Sequence, residues 1–284
     1  MIKRILFIFI LLVSSLSFSQ LSKNHYIPPI SSGPSNADPL DQLMYISTPS
    51  QGDVNFTINI VGGNSISGTV SNATPYVYGI ADSGYSSFVQ DPATTSRVTS
   101  DKGYIINADS PIYVSVRLNA GGTAQAGALV SKGENALGTT FRIGTYDSQR
   151  AGAPGPNYLN FFSFMATEDN TTVNLSNERV TSGLAIENAG AQQFPINNIS
   201  LNRGQTYVVA VSPDDSEQNK AGLIGTLVSS DKPIVVNAGS ANGSFSNGGG
   251  RDYGIDQIVE LSKVGNEYIF VKGDGDDSFE NVLV

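Results

Sequence analysis

The residue types that support most hydrolytic and metal-dependent chemistry are scarce in this 284-residue sequence. It contains one histidine, His25, and no cysteine. A Ser-His-acid triad, a Cys-His pair or a zinc site would all depend on that single imidazole. Because His25 falls in a segment that we predict to be a flexible leader, we expect its side chain to be solvated and inert. The sequence therefore argues against a zinc enzyme and against nucleophilic catalysis.

Carboxylates offer the remaining chemistry. The acidic stretch near the C-terminus presents hard oxygen atoms, which calcium prefers, although it lacks the glycine that an EF-hand loop has at its sixth position. The candidate calcium ligands there are Asp274, Asp276, Asp277 and Glu280, with a solvated acidic turn as the alternative. Calcium is the one cofactor that the sequence suggests. Glycoside hydrolysis needs two acids facing each other across a sugar, and no spacing here predicts such a pair.

A glycine-rich stretch at 239–253 could be mistaken for a phosphate-binding loop. It has neither the lysine nor the following helix of a P-loop, so we interpret it as a long loop between β-rich units. Long loops carried by rigid strands often hold the binding residues of surface proteins. We therefore predict a ligand-binding patch at Arg251, Asp252 and Tyr253.

The sequence predicts that β-strands position these residues. Short runs rich in Val, Ile, Thr, Tyr and Phe recur between clusters of Gly, Asn, Asp, Ser and Pro, which predicts an all-β chain. At 54–60 every second side chain is apolar, as in a strand with one packed and one solvated face. Asp109 and Asp231 each stand shortly before a Pro-Ile-x-Val run, which predicts a turn that leads into a strand. The number of strands predicts tandem antiparallel β-sandwich-like repeats, with β-propeller-like blades as the alternative.

Three collinear sequence matches predict the repeats. Residues 44–56 align with 164–175, 106–114 with 228–236, and 137–143 with 264–270. The order is kept and the offsets are similar, as in tandem units. Residues 280–284 resemble the strand that opens the second unit. We therefore expect the chain to be a fragment whose third unit is incomplete.

The N-terminus predicts export through a Sec-type signal peptide. Lys3 and Arg4 precede an apolar run at 5–13, and Ser17 and Ser19 are the small residues that a signal peptidase needs. The run is shorter than the roughly 20 residues of a membrane-spanning helix, so we expect a secreted or cell-surface chain without membrane insertion. The predicted divisions are a signal peptide at 1–19, an N-terminal leader at 20–43, a first β repeat at 44–150, a second β repeat at 157–255 and the start of a truncated third repeat at 256–284.

The charge pattern bears on the partner. The formal net charge is −9, from 16 basic and 25 acidic residues. Nucleic acid binding relies on clustered Lys and Arg, whereas the basic residues here are scattered. We expect an unknown extracellular protein or glycan as the partner and no nucleic acid. Without cysteine, an exported chain of this size must be held by apolar burial and backbone pairing instead of disulfides.

Motifs along most of the chain carry a resemblance to a known family. They lie at 26–30, 102–114, 128–141, 164–173, 201–207, 225–233 and 248–257. Together they resemble the IgGFc-binding protein N-terminal domain family, as found in large surface proteins of gliding, type IX-secreting bacteria. The resemblance implies an extracellular binding role and supplies no catalytic residues. It does not imply immunoglobulin binding, because the mucus proteins that gave the family its name have cysteines in this region and this chain has none.

The leading hypothesis is therefore a non-catalytic cell-surface binding or adhesion module. Two other hypotheses stay open. A structural stalk of repeats would space a distal domain from the cell. A polysaccharide hydrolase would need a carboxylate site that the sequence does not reveal.

Overall fold

The chain is built almost entirely of β-strands. The computed structural model describes residues 20–32, 39–120, 125–145, 159–180, 182–213, 215–243, 252–265 and 267. The strands are β1 (Ser22–Ile27), β2 (Ile30–Ser31), β3 (Pro39–Ser47), β4 (Val54–Ile60), β5 (Ser65–Val70), β6 (Tyr76–Ala81), β7 (Val89–Gln90), β8 (Val98–Thr99), β9 (Tyr104–Ala120), β10 (Gln125–Val130), β11 (Gly138–Arg142), β12 (Asn160–Ala166), β13 (Thr171–Ser176), β14 (Ile196–Leu201), β15 (Thr206–Val211), β16 (Leu227–Gly243) and β17 (Asp252–Ile258). Within the same residues, helical structure consists of short 3-10 segments at Pro92–Thr94, Gly133–Ala136, Glu217–Lys220 and Leu261–Lys263. The predicted signal peptide at 1–19 lies outside the described residues.

The first sheet is organised around β9, which is 17 residues long. Its strand order is β5-β4-β9-β3-β6, and β1 and β10 also pair with β9. The N-terminal half of β9 pairs with β1 and β4, and the C-terminal half pairs with β3 and β10. The change of partners falls near Pro111, a residue that has no N–H to donate. The turn predicted at Asp109 is therefore wrong, because the strand continues through the proline.

The second sheet has the same connectivity around β16, which is also 17 residues long. Its strand order is β14-β13-β16-β12-β15-β8, and β11 and β17 also pair with β16. In chain order, β11 to β17 take the places that β1, β3, β4, β5, β6, β9 and β10 take in the first sheet. The turn predicted at Asp231 is wrong for the same reason, because β16 continues through Pro233. The sheets curl into a half-barrel and a nearly closed barrel, which confirms the all-β, sandwich-like class.

Apolar burial forms two clusters that meet at β12. One cluster packs against the inner face of the first sheet, and the other packs against the inner face of the second. Successive side chains of a strand point to opposite faces. Accordingly, Phe162 and Phe164 belong to the second cluster, whereas Phe161 is buried in the first together with Ala210. The second sheet therefore closes the first cluster with its outer face.

A buried polar network joins the two sheets at the same boundary. The side-chain oxygen of Gln257 accepts a hydrogen bond from Lys132 N at 2.7 Å and lies 3.2 Å from Ser131 Oγ. Its side-chain nitrogen donates to Tyr26 O at 2.8 Å and to Asn237 Oδ1 at 3.2 Å. The side chains of Gln257, Ser131 and Asn237 are buried. Both ends of the Gln257 amide are thus satisfied, as a buried polar group requires.

His25 is part of this boundary and not of a flexible leader. It lies in β1, which pairs antiparallel with β9, and its side chain has no exposed surface. Its Nε2 is 3.0 Å from Ile112 O and 3.2 Å from Ser22 O, and its Nδ1 is 2.9 Å from Ser131 Oγ. Because carbonyl oxygens only accept, Nε2 carries the hydrogen. The prediction of a solvated His25 is wrong. Its segment has no regular apolar alternation, but pairing with β9 and hydrogen bonds in a buried polar pocket hold it in place.

Burial makes His25 a pH-sensitive element of stability. It lowers the pKa of His25 below the ordinary 6.5, against the opposing effects of the Ile112 and Ser22 carbonyls and the Glu134 charge. As the pH falls, His25 is therefore protonated more readily in the unfolded chain than in the folded chain. The contribution of His25 to the unfolding free energy is complete above pH 6.5. It falls as the pH decreases below 6.5, by at most about 1.4 kcal/mol per pH unit.

The measurement is urea denaturation of the native chain and of His25→Gln between pH 5 and 7.5. The contribution of His25 is the difference between the unfolding free energies of the two proteins. This difference is needed because Glu187 changes the stability of both proteins with pH in the opposite direction. Burial, followed by the Asp215 carboxyl, raises the pKa of Glu187 to about 7, so the stability that its protonation provides is lost as the pH rises through 7. The difference between the two proteins should shrink as the pH falls. Parallel pH profiles would contradict the role of His25.

Candidate functional site

The outward face of the first sheet carries an open groove of about 600 Å³. It crosses β3, β9 and β10 and reaches the start of β17, so it extends from the first sheet onto the last strand of the second. The polar and large apolar side chains that line it include Asp41, Leu43, Tyr45, Arg117, Asn119 and Asp252. Apart from Asp252, all of these residues come from strands whose opposite faces pack into the first core, which gives the groove a rigid base.

An arginine stacked on a tyrosine lines the groove. The guanidinium carbon of Arg117 lies 5.0 Å from the centre of the Tyr45 ring. Arg117 is exposed, Tyr45 is half-buried, and no carboxylate of the described residues lies within ion-pair distance of Arg117. Stacking on an aromatic face is worth about 0.5 to 1 kcal/mol at such a site and leaves the guanidinium hydrogens available. Arg117 can therefore donate several hydrogen bonds to a ligand.

Two exposed carboxylates line the same groove beside the cross-strand pair of Asn119 and Ala126. Asp41 Oδ2 accepts a hydrogen bond from Asn119 Nδ2 at 2.9 Å. Asp252 Oδ1 accepts one from Ala126 N at 3.0 Å. Each carboxylate is oriented through one contact and keeps acceptor capacity toward solvent, since a carboxylate has about four acceptor positions. The groove thus presents both hydrogen-bond donors and acceptors to solvent.

Asp41 is placed in the groove by an irregular turn of β3. Its φ of 46° lies in the left-handed region, which aspartate tolerates better than most residues. The pairing of β3 with β9 shifts register between Leu40 and Leu43. The buried Gln42 stabilises this bulge by donating to Gly84 O at 2.7 Å. The extra residue reorients the strand and brings the Asp41 carboxylate beside Asn119.

The structure separates the residues of the predicted ligand patch. Asp252 opens β17 and lines the groove. Tyr253 is buried, and its hydroxyl lies 2.6 Å from Ser32 Oγ. Its Cβ would lie 2.4 Å from a Cβ at Gly127, so glycine at that position lets β17 pack closely on β10. Arg251 lies outside the described residues.

The predicted calcium ligands Asp274, Asp276, Asp277 and Glu280 also lie outside the described residues. Within the part of the chain that is described, no three histidine or carboxylate side chains come together in a way that could hold a metal ion. Calcium at the C-terminal acidic stretch thus stays a prediction.

Tyr45 and Arg117 were missed by sequence reasoning. They lie far apart in the chain and meet because β3 and β9 are neighbours in the sheet. The available signal was alternation, since Ser115, Arg117 and Asn119 are polar positions of a strand whose intervening residues are apolar. That pattern identifies an outward face but does not reveal which strand lies beside it.

A second depression, of about 500 Å³, lies on the β4–β5 hairpin beside β9. Its polar side chains mostly bind one another. Asn55 Nδ2 donates to Asp109 Oδ2 at 2.7 Å, and Thr57 Oγ1 lies 3.2 Å from Ser67 Oγ. These contacts occupy hydrogen-bonding groups that a ligand would need, so the groove of the first sheet is the better candidate.

An open groove with donors, acceptors and aromatic rings on a rigid strand face has the features of a surface that could bind a ligand. Among the residues described here, no helix has the length and apolar character needed to cross a membrane.

The chain belongs to the IgGFc binding protein family. The model of that family matches residues 126–283, more than half of the sequence. This is a family of extracellular, non-enzymatic binding domains. No curated protein and no solved structure matches the chain.

Proposed function

We propose that the chain is a non-catalytic, cell-surface adhesion module that binds an extracellular protein or glycan through the groove of the first sheet. The observation that carries this proposal is the exposed Arg117 stacked on Tyr45 in a groove that the carboxylates of Asp41 and Asp252 also line. A half-buried aromatic ring beside arginine is typical of binding hot spots. Placement on strands instead of loops keeps these groups in position before a ligand arrives, which lowers the entropic cost of binding.

Export is the second part of the proposal. The signal peptide at 1–19 would direct the chain across the inner membrane, and the resemblance to surface proteins of type IX-secreting bacteria suggests the later route. Membership of an extracellular family supports this location.

Tandem duplication is the third part. The two sheets share the order of seven strands, with β8 added at the edge of the second, and this supports duplication, as do the collinear sequence matches. The same strand order favours unit boundaries that differ from those expected from sequence. The first unit would begin at β1 instead of residue 44, and the second at β11 instead of residue 157. A chain of such units would also suit a structural stalk, which is the second candidate function.

Binding assays on protein and glycan arrays distinguish the two functions. We expect the purified chain to retain specific partners, and we expect Arg117→Ala combined with Tyr45→Ala to weaken their binding by at least tenfold. Arg97→Ala, which removes an exposed arginine elsewhere, is the matched control and should bind normally. An array without any specific partner would favour the stalk. If the partners bind the double variant as tightly as the native chain, then the groove is not their binding site.

A further inference from the structure

The outer faces of the two sheets correspond position by position. In the first sheet Ile46 pairs with Val114, and Tyr45 pairs with Ser115. In the second sheet Phe164 pairs with Val236, and Ser163 pairs with Asn237. Since β3 and β9 take the places of β12 and β16, the Tyr45–Ser115 pair corresponds to the Ser163–Asn237 pair.

The corresponding face of the second sheet is occupied by a piece of the same chain. Residues 26–31 lie against it, with Pro28 and Pro29 between the end of β1 and the start of β2. Asn237 Nδ2 donates to Pro28 O at 2.8 Å, and Ser163 Oγ donates to Pro29 O at 2.5 Å. The second sheet therefore recognises the backbone carbonyls of a proline-containing segment through side-chain donors.

The corresponding face of the first sheet is open, and its donors are placed differently, since Ser115, in the position of Asn237, is buried. Tyr45 replaces Ser163, and Arg117 takes the place of Gly239, because Leu43 pairs with Arg117 as Phe161 pairs with Gly239. A proline residue has no N–H, so an extended proline segment offers carbonyl acceptors with few donors of its own, and it is already ordered before binding. An aromatic ring beside a planar set of donors suits such a segment.

Two further features define the ligand. The groove is continuous with the contact between the sheets, since its floor reaches Gly127 and Tyr253, where β17 packs on β10. The carboxylates of Asp41 and Asp252, which line the groove, favour basic residues beside the prolines, through charge complementarity.

We propose that this groove binds an extended, proline-containing segment of an extracellular polypeptide with flanking basic residues, in the manner in which the second sheet holds residues 26–31 of its own chain. The inference rests on the proposed binding function and specifies its ligand. Glycans and a second copy of the chain are the competing occupants, and both are outcomes of the test.

The test is fluorescence anisotropy with a labelled peptide that carries the sequence of residues 26–31 between pairs of lysines. We expect saturable binding to the full chain at peptide concentrations below about 1 mM. Replacing both prolines by glycine in the peptide should weaken binding at least fivefold. Tyr45→Ala and Arg117→Ala should each weaken it at least tenfold, while Arg97→Ala should not change it. Because these side chains lie on an outward face, circular dichroism should show folded variants.

Several results would overturn the inference. One is no saturable binding of the peptide. Another is binding that Arg117→Ala leaves intact, which would locate the peptide elsewhere. A third is self-association that requires Arg117, seen by analytical ultracentrifugation. If an array partner depends on Arg117 and the proline peptide does not compete with it, the inference fails while the proposed function stands. If no array partner and no peptide binds, both fail.

Discussion

Replacing Phe161 by alanine is expected to lower the free energy of unfolding by about 3 to 5 kcal/mol. Phe161 has no exposed surface and extends from the outer face of the second sheet into the cluster that fills the first. Its removal deletes apolar contacts and leaves a cavity that two facing sheets cannot easily close. The effect should appear in the cooperative transition of the whole chain, since this side chain joins the two sheets.

Leu43→Ala is the matched control for this prediction. Leu43 pairs with Arg117 in the first sheet as Phe161 pairs with Gly239 in the second, but its side chain lies in the open groove and is half-buried. We expect a loss of less than about 1 kcal/mol for it. Urea denaturation followed by circular dichroism gives both values. Equal losses, or a Phe161→Ala transition that splits into two steps, would show that the two sheets do not fold as one unit.

Replacing Gln257 by alanine is expected to cost about 3 kcal/mol of unfolding free energy. The substitution removes one hydrogen-bond partner from each of Lys132 N, Tyr26 O and Asn237 Oδ1. These groups lie at the buried boundary between the sheets, where an unsatisfied polar group costs about 1 to 3 kcal/mol. The loss should exceed that of a typical hydrogen-bond deletion because several partners are affected together.

Gln51→Ala provides the comparison, since Gln51 is exposed on a loop. Its effect should stay within about 0.5 kcal/mol. Chemical denaturation of both variants under the same conditions is sufficient. If Gln257→Ala is as stable as the native chain, then water or a rearranged side chain replaces the amide, and the network does not hold the sheets together.

Local patterns predicted part of this fold well. The alternation at 54–60 corresponds to β4 (Val54–Ile60), whose apolar side chains face the first core. By contrast, β1 has a polar sequence, Ser-Lys-Asn-His-Tyr-Ile, and forms a strand because it pairs with β9. The central strands β9 and β16 pass through prolines because each proline lies where the strand exchanges one set of partners for another. Such exchanges depend on distant strands, so no local pattern could reveal them.

The residues of the candidate site were also predicted only in part. Asp252 was predicted as a ligand-binding residue and lines the groove, whereas Tyr253 is buried although the two are adjacent in sequence. Neighbouring side chains of a strand point to opposite faces. Because the segment was interpreted as a loop, Asp252 and Tyr253 were expected on the same surface. Tyr45, Arg117 and Asp41 come together through sheet order and a bulge in β3, which single-sequence reasoning does not provide.

The position of residues 26–31 has a consequence for the order of folding. Their carbonyl groups are bound by Asn237 and Gln257, which follow them by 209 and 231 positions in the chain. Residues 26–31 therefore cannot complete their native contacts until Asn237 and Gln257 have been synthesised. Contacts of such long range slow folding.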